Sequence, residues 1–276
     1  MKNQLNLLAK DSVHSHFKHV RKTMPEEFSK KHFSKAQEWE STVNVVENIR
    51  LILPWLKSDE RLRILDVGVG TGKLPVTLQK MGNDFYALDD DAGGRNSAEF
   101  LKQIFPSLKV DVCSLESSIF PFENRYFDMV TSLDVIEHLP GSPRHYLYEI
   151  YRVLRPGGVF LLSNPNPTSL YNSLRMFVGK SNYHPLSEWF QTACNDEFGG
   201  HWREYTLQEL VDMITFVGFG ILNKGRLAKA IRRYEGTDAS VINRTSYLVY
   251  KLFTSYVIPW MANDVYVLCS KPTKKS

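Results

Sequence analysis

No glycine stands among the first 67 residues of this 276-residue chain. That stretch lacks the residue that tight turns and close backbone approaches call on, and residues 1 to about 60 of it read as helix. Val43, Val46, Ile49 and then Ile52 or Leu53 recur at helical spacing ahead of Pro54, giving one apolar face. Cysteine is scarce: Cys113, Cys194 and Cys269 are the three in the chain, far apart and without C-x-x-C spacing. That excludes a disulfide framework and a thiolate zinc site, and it fits a reducing cytoplasm. No run approaches the ~20 apolar residues of a membrane span, and Met1-Lys2-Asn3-Gln4-Leu5 opens no signal-peptide core. The expectation is a soluble, cytoplasmic protein, peripheral at the inner membrane surface at most. Charge of one sign is not in excess either, since 34 Lys and Arg face 30 Asp and Glu for a formal +4. Nucleic acid is therefore not the expected partner, although local basic clusters can still favour phosphate or anionic lipid. Length and a hydrophobic content of 43% suit one large α/β domain with additions.

What is present centres on Arg63-Ile64-Leu65-Asp66-Val67-Gly68-Val69-Gly70-Thr71-Gly72-Lys73-Leu74. A short apolar run, a glycine-rich turn and a helix-compatible stretch predict strand, tight loop and helix, the opening of a nucleotide-binding α/β unit. Glycines 68, 70 and 72 let backbone approach a ligand closely; an ordinary glycine-rich turn is the plainer alternative. A dinucleotide fingerprint would place its third glycine at position 73, where Lys73 stands. Asp66 would also repel a pyrophosphate, whereas S-adenosylmethionine offers an ammonium and a sulfonium that an anion favours.

Further along, Asp84–Leu88 predicts a second strand ending at Asp89-Asp90-Asp91. Asp89 lies 17 residues after Gly72, close to the offset of about 20 at which an acid reaches ribose hydroxyls; a solvated acidic turn with Gly93-Gly94 is the alternative. A third strand is expected over Leu108–Asp111, and a buried fourth through Phe127–Leu133, followed by Asp134-Val135-Ile136-Glu137-His138. An amphipathic helix from Tyr146 to Leu154, ended by Arg155-Pro156-Gly157-Gly158, should lead into a fifth strand, Val159–Ser163. Thr206 with Glu209 three residues on makes a capping box for a helix through Phe216. Gly218–Leu222 and Asp264–Ser270 read as the last two strands. His14, His16, His19 and His32 are mixed with Lys and Arg and lack a matching carboxylate or Cys, so they read as solvated surface, not a metal site.

The ordered set of D-V-G-V-G-T-G at 66–72, the acids at 89 and 111, the stretch from Phe127 to Leu139 and L-R-P-G-G at 154–158 resembles the class I S-adenosylmethionine-dependent methyltransferases. The resemblance covers about residues 60 to 166 and runs more loosely through His201 to Ser270. It implies an α/β, Rossmann-like, doubly wound seven-stranded sheet, mostly parallel with an antiparallel edge strand. Helical N-terminal and inserted segments would be added to it: residues 1–60 as a helical lid, and 61–276 as the methyltransferase domain with insertions at about 168–200 and 228–262. The resemblance makes S-adenosylmethionine the cofactor, S-adenosylhomocysteine the product, and Asp66, Gly68, Gly70, Gly72, Asp89, Asp111, Val112 and Leu133 the cofactor-binding residues. Asp111 would accept from the adenine amino group at its strand's carboxyl end, with the Val112 N–H facing the ring. Phe28, Phe33 and Trp39 would close over the cofactor.

Methyl transfer from a sulfonium asks mainly for near-attack geometry, and a hydroxyl acceptor needs a base as well. His138 and His201 are the candidate bases, with Glu137 behind them. Ser-Asn-Pro-Asn at 163–166 and the His201 stretch resemble a bacterial subgroup associated with glycan, lipid or quinone-type small molecules. Asp134-x-x-Glu137-His138 with His201 also resembles a magnesium-holding E-x-x-E-H set, with Asp134 in place of the first Glu. His ligands suit borderline metals better than hard magnesium, and a helix-orienting role for Glu137 and His138 is the alternative to a divalent ion. Two rival functions are a non-catalytic S-adenosylmethionine-binding protein and a nicotinamide-dependent oxidoreductase. Lys224, Arg226, Lys229, Arg232 and Arg233 lie near Tyr250, Phe253, Val257 and Trp260, a pattern for anionic membrane contact, for a homodimer or for packing within the domain.

Overall fold

Along β1 (Arg63–Val67), Ile64 and Leu65 are both fully buried and point to opposite faces. A sheet of this kind must be covered on both sides, and its strands must be joined by helical crossovers. The computed structural model describes residues 2–24, 35–56, 60–90, 95–106, 108–182, 200–230 and 239–273. In chain order these form α1 (Lys2–Thr23), α2 (Lys35–Leu56), β1, α3 (Lys73–Lys80), β2 (Asp84–Asp90), α4 (Arg95–Ile104), β3 (Lys109–Cys113) and β4 (Phe127–Leu133). There follow α5 (Arg144–Val153), β5 (Leu154–Pro165), α6 (Leu170–Phe177), α7 (Leu207–Val217), β6 (Gly220–Leu227), α8 (Ala239–Tyr256) and β7 (Asp264–Ser270). Among the described residues the sheet has seven strands, in the order β3-β2-β1-β4-β5-β7-β6. The first five run parallel, and β7 pairs antiparallel with both β5 and β6, which closes that edge.

One face of the sheet packs on α1 to α4, through Val13, Phe17, Ile49, Leu78 and Leu101. The other packs on α5 and α7, through Tyr146, Ile150, Leu210 and Ile214. Ala9, Val13, Phe17 and Val20 recur on one side of α1 and are fully buried, each large side chain contributing ~1.5–3 kcal/mol of gross apolar burial. Chain order reverses between β1 and β4, the switch point at whose carboxyl side α/β sheets bind ligands. No helix among the described residues is long and apolar enough to cross a membrane.

Several expected boundaries differ. β3 extends to Cys113 and not to Asp111, because Val112 and Cys113 continue the ladder with Asp89 and Asp90. The L-R-P-G-G stretch does not cap α5. Leu154 pairs with Phe127, and residues 155–158 bulge opposite Asp128, where Arg155 Nε donates to Asp128 Oδ1 at 2.5 Å. The carbonyls at the end of α5 are taken instead by Lys271, whose Nζ donates to Tyr151 O at 2.6 Å and Leu154 O at 2.8 Å, and by the Arg125 and Tyr126 N–H groups, which donate to Arg152 O and Val153 O. β6 begins at Gly220, since Gly218 (φ 107) is the left-handed cap of α7. Phe28, Phe33, His32, Asp91, Gly93, Gly94, Cys194, Arg232 and Arg233 lie outside the described residues.

Candidate active site

The loop after β1 turns through three left-handed glycines, Gly68 (φ 77), Gly70 (φ 51) and Gly72 (φ 73). At Gly68 there is no room for a side chain: a Cβ would lie 2.2 Å from Val135 Cγ2, so the loop is wedged against the residues that follow β4. At Gly70 a Cβ would meet nothing within 4 Å, and the backbone there faces open space. Gly70 N–H donates to Asp89 Oδ2 at 3.3 Å, and Asp90 N–H to Asp89 Oδ1 at 3.0 Å. The end of β2 and the glycine loop thus form one concave rim. Burial raises the Asp89 carboxyl, with these two N–H donors working against it.

Asp66 lies in β1 between Ala87 and Thr131. It accepts from Thr131 Oγ1 at 2.6 Å, and burial pushes its carboxyl up to about 7. The charge acting on it is that of Asp89, which has the same sign. A cationic group at this rim would restore Asp66 to its ordinary carboxylate range, so the residues present fit a donor carrying an ammonium and a sulfonium. Asp111 and Val112 sit next to the rim in β3, Asp111 paired with Leu88 and Val112 with Asp89. Asp111 is therefore two residues short of its strand's end. Leu133 closes β4 on the other side of the switch point.

A second feature of the loop was not legible in sequence. His16 of α1 was expected on solvated surface, yet it is 1% exposed. Its Nε2–H donates to Thr71 O at 2.9 Å, and its ring stacks on Phe105 with centroids 5.1 Å apart. Burial lowers its imidazole to about 4, so the ring is neutral at physiological pH. His14, by contrast, is exposed and faces Glu38. Trp39, expected in a lid, packs edge-on against Tyr247 of α8 at 5.8 Å. Among the described helices, α1 touches the glycine loop at Thr71, and α4 reaches it at Gly72 through Leu101.

Beyond Leu133 the chain makes a single 3-10 turn, Ile136–His138, preceded by Asp134 in the left-handed region (φ 58). Glu137 is fully buried, and its carbonyl accepts the Trp202 N–H at 2.8 Å, which brings in the segment from Gly200 to Glu204. His138 Nδ1–H donates to Gly200 O at 3.1 Å, and His201 Nδ1 meets Glu204 Oε1 at 2.8 Å. Each ring therefore turns its Nε2 lone pair away from these partners. The His138 and His201 rings lie 4.9 Å apart, and His201 Nε2 is 4.0 Å from Glu137 Oε1. Neither Glu137 carboxyl oxygen has a hydrogen-bond partner among the described residues, and burial, aided by the charge of Asp134, raises its carboxyl well above the ordinary range. The three candidates the sequence singled out thus meet, their ligand atoms within 4.8 Å of one another.

Asp134 does not join them. Its carboxylate is gripped by Lys229 Nζ at 2.7 and 2.6 Å, and the same ammonium contacts Ser163 Oγ and Asp264. Burial opposes the charge on Asp134, but Lys229 holds it below its usual range. An E-x-x-E-H set would need this carboxylate for a metal, and here a lysine has taken it. Glu137, His138 and His201 remain a fit for a borderline divalent ion, two imidazoles and one carboxylate, and not for hard magnesium. A cleft of about 580 Å³ opens next to the cluster, lined by Leu139, Trp202, Tyr205 and Met213.

The description "Methyltransferase domain" fits residues 65–162, from within β1 to within β5. The ubiquinone biosynthesis O-methyltransferase of Roseobacter denitrificans is 34% identical over 188 residues, 65% of this chain and 70% of that one. A probable S-adenosylmethionine-dependent methyltransferase of Mycolicibacterium smegmatis is 26% identical over 63% of this chain and 60% of its own length. Among solved structures, an S-adenosylmethionine-dependent methyltransferase from Mesorhizobium loti superposes with a TM-score of 0.55, over 80% of this chain and 97% of that one, at 16% identity. One from Archaeoglobus fulgidus gives 0.53 over 88% and 98%, at 15% identity, which speaks to the fold. The nicotinamide reading is thereby set aside: the chain belongs to the class I S-adenosylmethionine-dependent methyltransferases.

Proposed function

We propose that this methyltransferase acts on a hydroxyl of a small molecule, with His201 as the general base. The observation that carries the reading is the His201–Glu204 pair at 2.8 Å, set beside buried Glu137 and His138 at the switch-point side of the sheet. The bound donor supplies a methyl already activated by its sulfonium. In this reading Asp66 receives the donor's ammonium, Asp89 the ribose hydroxyls, and Asp111, Val112 and Leu133 the adenine, while Gly68, Gly70 and Gly72 let backbone come close. His201 Nε2 takes the acceptor's hydroxyl proton, and Glu204 stabilises the imidazolium through Nδ1–H, a role worth about 10²–10⁴ in rate. Residues 61–276 act as the catalytic unit and 1–60 as its cover. Several relatives are named for O-methylation in ubiquinone biosynthesis, which supports a hydroxylated small-molecule acceptor, free or lipid-linked.

A second reading rests on the same cluster. Two imidazoles and Glu137 could hold a divalent ion that lowers the acceptor's pKa. Turnover measured with EDTA and with added manganese, zinc or magnesium separates the two: indifference supports His201 as base, and a metal requirement supports the ion.

A further inference from the structure

The helix α8 is amphipathic the wrong way round for a helix packed on its own domain. Several of its polar side chains turn inward: Lys251 Nζ donates to Glu47 Oε1 at 2.6 Å, Tyr250 Oη to Met261 O at 3.1 Å, and Thr254 is 3% exposed. Its apolar side chains turn out, Leu248, Leu252 and Tyr256 following one another four residues apart, and Trp260 continues beyond the helix end. The short helix α6 has no buried residue at all, and Leu174 and Phe177 stand in solvent. Of the seventeen large apolar side chains exposed among the described residues, twelve lie on these two segments, so the exposure is concentrated and not scattered.

The two segments are anchored at one place. Asn166, just ahead of α6, donates through Nδ2 to Trp260 O at 3.1 Å and Ala262 O at 2.7 Å, the turn that follows α8. Both meet the sheet where Pro165 pairs with Asp264, the carboxyl end of β5 and the side on which the glycine loop and the histidine cluster lie. α6 also reaches that cluster, Asn172 Nδ2 donating to Glu204 Oε2 at 3.4 Å. Charge selects the occupant. Besides Lys251, which turns inward to Glu47, residues 166–182 and 239–262 contain Arg175, Lys180 and Arg244 and no Asp or Glu. A surface of aromatic and aliphatic side chains with basic residues and no acid matches an anionic bilayer, in which apolar groups sink to the acyl boundary and cations stay among headgroups. We propose that α6 and the outward face of α8 dock this enzyme on an anionic membrane surface, with the site's mouth toward the lipid. The basic residues first suspected of this role are not all available, since Lys229 is buried between Asp134 and Asp264.

The test is co-sedimentation of the full chain with vesicles of phosphatidylglycerol and phosphatidylcholine (1:3), and with pure phosphatidylcholine, at low and high salt, without acceptor. The expected result is pelleting with anionic vesicles that high salt weakens, and a roughly tenfold loss of partitioning in Phe177→Asp/Trp260→Asp. S-adenosylhomocysteine affinity, read by calorimetry, should be the same in that variant, which shows that it is folded. Retention in the supernatant with anionic vesicles at low salt, equal pelleting of variant and wild type, or a wild-type dimer that the variant dissolves would each overturn the proposal, the last assigning the face to a second copy. Because no acceptor is present, these outcomes do not depend on whether His201 is the base.

Discussion

Asp66 is charged or neutral according to what lies beside it. Its carboxyl sits at about 7, raised by burial and by Asp89, while the proposed contact to an ammonium needs the anion. Below that value a proton must leave before the donor binds, so affinity falls by about tenfold for each further unit of acid. Calorimetry with S-adenosylhomocysteine should show affinity rising from pH 5 to pH 7 and levelling above it, and Asp66→Asn should be weaker and nearly flat. A steep pH profile retained in Asp66→Asn would move the effect to another group. His16 titrates in the opposite sense. Burial depresses it from 6.5 to about 4, so its stabilising neutrality is complete above 6.5 and is lost as pH falls toward 4, about 3 kcal/mol in all. His16→Gln should therefore lose less thermal stability than wild type between pH 7 and pH 4.5. Asp66 could be read from its spacing to the glycines, a local pattern. His16 could not, because its burial is decided by Thr71 and Phe105, which only the folded chain brings to α1.

At the scale of elements, local signals held where the partner is local. Thr206 and Glu209 form both bonds of the expected capping box, and the glycine loop has its three left-handed turns. Signals failed where a distant residue takes over: Lys271, with the Arg125 and Tyr126 N–H groups, rather than Pro156-Gly157 satisfies the end of α5, and Lys229, read as one of a basic cluster, closes the ends of β4, β5 and β7. That lysine joins Asp134, which precedes the turn carrying Glu137, to Asp264, the first residue of β7. Burial and the charge of Asp134 raise the Asp264 carboxyl even with the ammonium present, so one buried cation is shared by two carboxyls that repel each other. Lys229→Met would leave Asp134 without its cation and should cost about 3–5 kcal/mol in urea unfolding at pH 7. Double substitution with Asp134→Asn should recover part of that loss; no recovery would mean that the pair is not coupled.

For the whole molecule, the parallel strands were legible because each announces itself by an apolar run and a turn, while their assembly into a doubly wound seven-stranded sheet was implied by the family resemblance and not by those runs. The faces of α6 and α8 were not legible, since an outward apolar stripe and an inward one have the same period. In the proposed function a donor cradle on one side of the switch point and a His201–Glu204 base on the other serve a single methyl transfer. Release of S-adenosylhomocysteine over a panel of hydroxylated small molecules, with EDTA present, measures that directly. The expected result is turnover by the wild type and a loss of about 10²-fold or more in His201→Ala, with S-adenosylhomocysteine binding retained. A fully active His201→Ala, or a wild type that binds the donor and methylates nothing in the panel, would contradict it.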